Sequence, residues 1–252
     1  METTKTKKAK LDTSLKKYFN SQLNNTIADH GYPNSLICVF YLDNNQFNNG
    51  DKISKLPDKK SFFPSYDANQ KTESKKPTAD DDLNFSYLNF REKQCLTVDY
   101  NLNGKNNLNV FIVFRVLEAP GGIIIGIFEN DNSTHVLTTS DRFFDITHSG
   151  NQRQLRIGYG SGHEFITSFP PKASPVTLNF SVLSVHYNSV EVNDSLVDCN
   201  GKYVANFTGE PNTGGEDPFS IGSISSSPSS YNTQKQMAYF ALYHGRFSRK
   251  DI

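Results

Sequence analysis

Residues 107–117, NLNVFIVFRVL, are the stretch of sequence that decides the fold. β-branched and aromatic residues dominate this stretch, and such residues favour a strand over a helix. Side chains alternate along a strand, so Val110 and Ile112 would point to one side and Phe111 and Val113 to the other. Apolar residues on both faces are typical of a strand in the middle of a sheet that has layers on either side.

A second short apolar run, residues 123–128 (IIIGIF), follows the turn signal Pro120-Gly121-Gly122. We take the two runs as the centre of an antiparallel β-sandwich. Other strand-like runs are at residues 35–42, 84–90, 95–100, 135–139, 154–159, 164–169, 176–187, 196–198, 202–207, 219–224 and 236–243. Short strands separated by turn signals predict a single all-β sandwich.

Two connections carry information of their own. Asn200-Gly201 predicts a type I′ hairpin turn, because both central positions of that turn need a positive φ. Residues 43–82 are polar and lysine-rich, so we expect a long surface excursion with at most short strands. Lys59 and Lys60 lie beside Phe62 and Tyr66 in this segment, which we interpret as a solvated loop with an aromatic tuck rather than a nucleic-acid patch.

The N-terminal residues divide the chain into residues 1–31, a basic arm followed by an amphipathic helix, and residues 32–252, the sandwich domain. An apolar residue recurs every four positions over residues 12–30, which predicts the helix. The stripe consists of Leu11, Leu15, Phe19, Leu23 and Ile27. Such a helix either packs on its own sandwich or docks on a partner, and the sequence leaves both open.

Composition limits the classes of partner and the compartment. The 252 residues carry no net charge, so no general attraction to nucleic acid is expected. No run is long enough to insert into a membrane, and no apolar segment of a signal peptide follows the basic start. We therefore expect an intracellular or virion-associated location rather than classical secretion. Three cysteines without metal-ligand spacing indicate reduced structural thiols.

Four motifs, in order, resemble one superfamily. They are residues 95–98 (CLTV) followed by 108–115 (LNVFIVFR), then 198–202 (DCNGK), 219–223 (FSIGS) and 237–243 (MAYFALY). Together they resemble the concanavalin A-like lectin/glucanase superfamily, and within it the laminin-G-like jelly rolls. The resemblance implies a concanavalin A-like jelly roll, a fold that hosts lectins, hydrolases and adhesive modules.

Catalytic residues are mostly missing from the sequence. The glucanases of the superfamily use a pattern similar to E-x-D-x-x-E, whose carboxylates flank a glycosidic bond. The nearest match here has Glu129 and Asp131 but Thr134 in place of the last acid. Without that acid nothing protonates the leaving group, so we predict no enzyme and rank a glycoside hydrolase last.

Two sets of residues are candidate binding groups. Glu129 and Asp131 lie in the densest run of oxygen ligands and form a candidate calcium site, with an exposed acidic turn as the alternative. Arg156, Tyr159 and His163 lie near a glycine-rich turn and could supply an aromatic ring and polar groups to a sugar. Ordinary surface residues are the alternative for each of them.

The function predicted from the sequence is a non-enzymatic, lectin-like binding or adhesion module that recognises a glycan or protein surface through its loops. The alternative is a structural subunit of a large assembly, such as a virion or a multiprotein complex, anchored through residues 1–30. Nucleic acid and membrane insertion are excluded as partners by this interpretation, and calcium is the one cofactor it considers.

Overall fold

The computed structural model describes residues 36–42, 46–60, 64–81, 86–91, 94–102, 104–116, 126–128, 144–149, 152–159, 163–168, 180–187, 195–207, 218–222 and 235–247. Nearly all regular structure in these ranges is β. The strands are β1 (Leu36–Tyr41), β2 (Lys55–Leu56), β3 (Ala68–Asn69), β4 (Thr78–Asp81), β5 (Ser86–Phe90), β6 (Cys95–Asn101), β7 (Leu108–Val116), β8 (Gly126–Phe128), β9 (Phe144–Ser149), β10 (Gln152–Tyr159), β11 (His163–Ser168), β12 (Ser181–His186), β13 (Ser195–Cys199), β14 (Lys202–Phe207), β15 (Pro218–Gly222) and β16 (Lys235–His244). A single 3₁₀ turn covers Glu73–Lys75 in the part of the chain that the structure describes.

The strands form three antiparallel sheets. The largest has the order β14-β13-β12-β7-β16-β5-β4, and β1 pairs with β16 alongside β5. The second has the order β2-β3-β6-β15-β8, and a third contains β11-β10-β9. The predicted fold class, an antiparallel β-sandwich, is confirmed.

Strand β7 has the central position that its sequence predicts. It lies between β12 and β16 in the eight-stranded sheet. Val110 and Ile112 are buried in the core between the two larger sheets, whereas Val113 is buried on the other face. Of the second run, residues 123–125 lie outside the described residues, and residues 126–128 form β8 at the end of the described strand order of its sheet, not at the centre that was expected. Strand β8 belongs to the five-stranded sheet, where Ile127 pairs with Ile221 of β15.

The main core lies between the eight-stranded and five-stranded sheets. Phe40 and Phe240 from the larger sheet pack with their ring centroids 6.1 Å apart, and Phe219 of β15 lies 6.5 Å from Phe240. All three are buried. Aromatic rings of this size dominate the apolar area removed from water in a sandwich core.

A β-bulge in β16 changes which face of the larger sheet the following side chains lie on. Between Met237 and Tyr239, β16 has one residue more than its partner β7, and the extra residue is Ala238. The insertion reverses the alternation of side chains. Met237 and Phe240 therefore both pack in the main core, whereas Tyr239 packs on the opposite face.

Two local predictions are also confirmed. Asn200 has φ 51° and Gly201 has φ 71°, which are the positive values that a type I′ turn needs. The three cysteines, Cys38, Cys95 and Cys199, are free thiols and all are buried.

Several predicted elements lie outside the described residues, among them the helix at 12–30 and the strand at 135–139. Their status as predictions is unchanged. Within the ranges that the structure describes, no helix has the length and hydrophobicity needed to cross a membrane.

Candidate functional site

A segment between β2 and β3 lies along the edge of β1 that faces away from β16. The Val39 amide donates to Asp58 Oδ1 at 2.9 Å, and the Lys59 amide donates to the Val39 carbonyl at 2.8 Å. The Lys60 ammonium donates to the Ile37 carbonyl at 2.8 Å. An edge strand with free backbone groups invites pairing with another chain. Here a carboxylate, an amide and an ammonium occupy those groups instead.

Asp58 is the residue that fixes this segment. Besides the Val39 amide, its Oδ1 accepts the Lys60 amide at 3.0 Å, and its Oδ2 accepts the Tyr66 amide at 3.0 Å. Its own amide donates to Asp67 Oδ1 at 2.9 Å. One carboxylate therefore holds β1 together with the amides of Lys60 and Tyr66.

Asp67 is fixed in turn by the lysine of β2. Lys55 Nζ lies 2.6 Å from Asp67 Oδ2. Partial burial raises the pKa of the Asp67 carboxyl, but the hydrogen bonds from Lys55 and from the Asp58 amide outweigh it, so the pKa is lowered overall. The segment is thus held in place by two linked carboxylates.

This framework presents three tyrosines and two lysines at the surface, which we call the tyrosine–lysine ledge. Its members are Tyr41, Lys59, Lys60, Tyr66 and Tyr100, and all five are partly exposed. Lys60 Nζ lies 5.0 Å from the centroid of the Tyr66 ring, and Tyr100 meets that ring edge-on at 4.8 Å. Lys59 Nζ lies 5.6 Å from the Tyr41 centroid.

Neighbouring groups support the Tyr41–Lys59 end of the ledge. Lys59 Nζ donates to Gln46 Oε1 at 3.0 Å, which fixes the ammonium beside the Tyr41 ring. The Tyr41 ring is stacked on Tyr239 of β16, with centroids 6.2 Å apart and planes within 8° of parallel. Contacts of this kind hold the side-chain rotamers in place. The protein would therefore lose little conformational entropy when a ligand binds.

Partial burial also tunes the groups on the ledge. Desolvation lowers the pKa of Lys60, while the charge of Asp58 and the neighbouring Cys38 oppose that shift. Burial, followed by the proximity of Tyr66 and Cys38, raises the pKa of Tyr100. Tyr100 therefore remains a neutral phenol at neutral pH, able to donate or accept a hydrogen bond.

The chemistry available on the ledge is that of recognition. Tyrosine rings offer an apolar surface with a polar tip, and the two ammonium groups and Gln46 offer hydrogen bonds from fixed positions. Among the residues that the structure describes, no group of three His, Cys, Asp or Glu side chains is arranged to hold a metal ion.

The residues singled out from the sequence are placed only in part. Tyr159 pairs directly with His163 across β10 and β11, so these two backbones meet at one end of the three-stranded sheet. Arg156 lies three positions before Tyr159 on β10 and is paired with Ile166 of β11. Glu129 and Asp131 lie outside the described residues, and the calcium site stays a prediction.

Comparisons with known proteins bear on the fold. No family model and no curated protein matches the sequence. Solved structures do match over most of the chain, and they include β-sandwiches of toxins and of a sialidase. The chain has a jelly-roll-like β-sandwich fold.

Three of these structures define the likeness. The binding domain of Paraclostridial Mosquitocidal Protein 1 has a TM-score of 0.57 and 11% identity, covering 87% of this chain and 51% of that one. A structure of botulinum neurotoxin type C has a TM-score of 0.56 and 12% identity, covering 87% of this chain and 50% of that one. Cell entry of that toxin is described as dependent on interaction with two ganglioside molecules. Trypanosoma rangeli sialidase has a TM-score of 0.54 and 15% identity over 86% and 32%. The chain thus spans about half the length of the two toxin structures and about a third of the sialidase.

Sequence reasoning missed the ledge as a candidate binding surface. It placed Lys59, Lys60, Phe62 and Tyr66 in a solvated loop with an aromatic tuck. Phe62 lies outside the described residues, and Tyr66 is partly buried against the main core. The role of Asp58 and the approach of Tyr100 had no signal, because the groups they meet are distant in sequence. The one available hint was the alternation of lysines, acids and aromatics in residues 55–67.

Proposed function

We propose that this protein is a non-enzymatic, lectin-like binding module of the concanavalin A-like type, and that it recognises a glycan through the tyrosine–lysine ledge. The observation that carries the proposal is the ledge itself, in which partly exposed tyrosine rings lie beside two fixed ammonium groups. A sugar needs an apolar surface for its ring and fixed polar groups for its hydroxyls.

The fold likeness adds support to this proposal. Two of the similar structures are toxin domains, one described as a binding domain and the other from a toxin whose entry depends on gangliosides. The lysines of the ledge favour an acidic glycan over a neutral one, because an ammonium pairs with a carboxylate by a charge-assisted hydrogen bond. The match to the sialidase covers 32% of that enzyme, so it carries no argument for catalysis.

A glycan array probed with the full chain tests the proposal. We expect specific signals that Tyr66→Ala abolishes and Tyr66→Phe retains, because phenylalanine keeps the ring. Tyr203→Ala is the matched control. Tyr203 is 48% exposed and lies on β14, five strands from β1 in the sheet order and so ~24 Å away.

The alternatives give different results in the same experiment. Loss of signal on Tyr159→Ala, with Tyr66→Ala unaffected, would move the site to the β10–β11 hairpin and overturn the ledge. A flat array combined with partner-dependent protection of residues 1–30 from protease would favour the assembly subunit. Repeating the array with calcium and with a chelator tests whether Glu129 and Asp131 contribute through a bound ion.

A further inference from the structure

The edge of β1 that faces away from β16 is covered by three consecutive residues. Among the described strands, β1 pairs only with β16. On its other edge, the backbone groups of β1 meet Asp58, Lys59 and Lys60. We call these three residues the edge guard.

Two of the three contacts of the edge guard are made by side chains. The Val39 amide donates to a carboxylate oxygen of Asp58 at 2.9 Å, and the Lys60 ammonium donates to the Ile37 carbonyl at 2.8 Å. Of the three residues, Lys59 alone makes the backbone hydrogen bond that a neighbouring strand would make. The carboxylate thus replaces the carbonyl of a further strand, and the ammonium replaces its amide.

The edge of β4 that faces away from β5 is covered in a different way. The Gly50 amide donates to the Ala79 carbonyl, and the Ala79 amide donates to the Asp51 carbonyl, both at 2.8 Å. These are backbone bonds of the kind that join strands, so they do not depend on the side chains of residues 50 and 51. The cover on β1, by contrast, depends on two charged side chains.

The sequence of β1 makes its edge suitable for pairing. Residues 36–41 are LICVFY, with no charge, no proline and no glycine. An uncharged apolar strand of this kind pairs with another chain when its edge is open. Natural sheets prevent such pairing by placing charged residues, and lysine in particular, at the edge. Asp58 and Lys60 are residues of this type, one acidic and one basic.

We propose that the edge guard covers a latent interface, and that the partner that fits the edge of β1 is β1 of a second copy of this chain. In an antiparallel pair, every second pair of facing residues exchanges two backbone hydrogen bonds. Two β1 strands centred on Val39 would place Val39 against Val39 and Ile37 against Tyr41. The backbone groups that the guard now occupies, at Val39 and Ile37, would thus be used again in the dimer.

The side chains of β1 favour a second copy as the occupant. Phe40 packs in the main core, whereas Val39 packs on the opposite face of the sheet. A strand added beside β1 would therefore lie against apolar neighbours on both faces, and cross-strand pairs are most stable when the side chains match. The β1 strand of a second copy has this pattern, and a two-fold axis through Val39 makes the contact self-complementary.

Asp58 is the anchor of the edge guard. Besides the Val39 amide, its carboxylate accepts the amides of Lys60 and Tyr66, so its loss would loosen the segment from β1. The bond between Lys59 and Val39 would then compete alone with the several bonds that two paired strands exchange. This inference concerns self-association, and it does not rest on the glycan binding proposed above.

Sedimentation of the full chain over a range of concentrations tests the inference. The guard variant is Asp58→Ala/Lys60→Met, which removes both side-chain contacts and keeps the apolar stem of the lysine. The matched control is Asp51→Ala/Lys52→Met. It also removes one acid and one base, but from the segment that covers β4 through backbone bonds.

Two further variants separate the guard from general stability. Gly222→Ala leaves the guard intact and destabilises the sandwich elsewhere, because a Cβ there would lie 2.7 Å from Phe90 Cδ1. Asp58→Asn/Lys60→Arg keeps an acceptor and a donor at the guard positions and should behave like the parent. Should the guard variant not fold by circular dichroism, Asp58→Ala alone gives the same test.

We expect the guard variant to reach twice the mass of the parent as its concentration is raised, and to return to the parent's mass on dilution, as a two-fold dimer would. Hydrogen exchange should show residues 36–41 protected in the concentrated sample relative to the dilute one. A mass that follows the parent's at every concentration would overturn the inference. Equal association of Gly222→Ala or of the matched control, growth beyond a dimer, or association that leaves residues 36–41 unprotected would overturn it as well.

Discussion

Replacing Asp58 with alanine should lower the free energy of unfolding, because it removes the carboxylate that holds the ledge in place. The carboxylate accepts three backbone amides, from Val39, Lys60 and Tyr66, at 2.9, 3.0 and 3.0 Å. Each such bond contributes ~0.5–1.5 kcal/mol net, and the amides left without an acceptor are only partly reached by water. We expect Asp58→Ala to lower the free energy of unfolding by ~2–4 kcal/mol.

Asp58→Asn separates the geometry of the bonds from the presence of a polar side chain. The asparagine oxygen can replace Oδ1 and keep the Val39 and Lys60 bonds, whereas its NH₂ group faces the Tyr66 amide, donor against donor. One bond is lost instead of three, so the expected cost is ~1–2 kcal/mol. Asp99→Ala is the control, because Asp99 is exposed on β6, and it should stay within ~0.5 kcal/mol of the parent.

The assay is urea unfolding of the full chain, followed by circular dichroism, for the parent and the three variants. The reasoning is refuted if Asp58→Ala matches Asp99→Ala in stability. It is also refuted if Asp58→Asn is as unstable as Asp58→Ala, because the three amide bonds would then not be the source of the effect.

Three further predictions come from other parts of the structure. Gly222→Ala should lower the free energy of unfolding by ~2–4 kcal/mol, because φ is 113° and a Cβ there would lie 2.7 Å from Phe90 Cδ1. Gly104→Ala, where φ is 71° and the space is open, is the control and should cost ~1 kcal/mol. Urea unfolding measures both. The three buried thiols should not react with a thiol reagent at pH 8 until the protein is unfolded. Burial raises the pKa of Cys199 to about 11 and that of Cys38 well above its usual value. Fast labelling of the native protein would contradict this prediction. Hydrogen bonds from the Lys76 and Lys52 ammonium groups lower the pKa of Glu73 from 4.5 to about 2. The stabilisation that the ionised Glu73 gives the fold is therefore present above pH 4.5 and is lost as the pH falls toward 2. Glu73→Gln should make Tm decline less steeply across that window, and an unchanged decline would contradict the assignment.

The parts of the fold set by local pattern could be predicted from the sequence. The apolar residues on both faces of 107–117 indicated a central strand, and Asn200-Gly201 indicated the hairpin turn between β13 and β14. Each of these signals depends on neighbouring residues only. The place of β8 (Gly126–Phe128) could not be predicted in the same way. It depends on pairing between Ile127 and Ile221, which are far apart in the chain.

The reversal of side chains in β16 shows a second limit. A strict period of two would place Met237 and Tyr239 on the same face, and only the extra residue Ala238 separates them. A bulge leaves little trace in a single sequence when apolar residues occupy both faces. The sequence of residues 236–243 therefore predicts a strand, but it does not predict which side chains lie on which face of the sheet.

The candidate site was the part least accessible to sequence reasoning. Asp58 reaches an amide 19 positions away in β1, and Tyr66 meets Tyr100 of a different strand. Neither contact follows from spacing along the chain. What the sequence could show was the presence of lysines and aromatics in a polar loop, and the fold alone brings Tyr66 beside Tyr100.

Hydrogen exchange of the full chain, with and without the glycan that gives the strongest array signal, tests the glycan-binding account most directly. The account predicts that amides of residues 56–67 and 36–42 become protected on binding, because four of the five ledge residues lie in those two segments. Protection confined to residues 152–168, or no glycan-dependent protection anywhere in the chain, would contradict it.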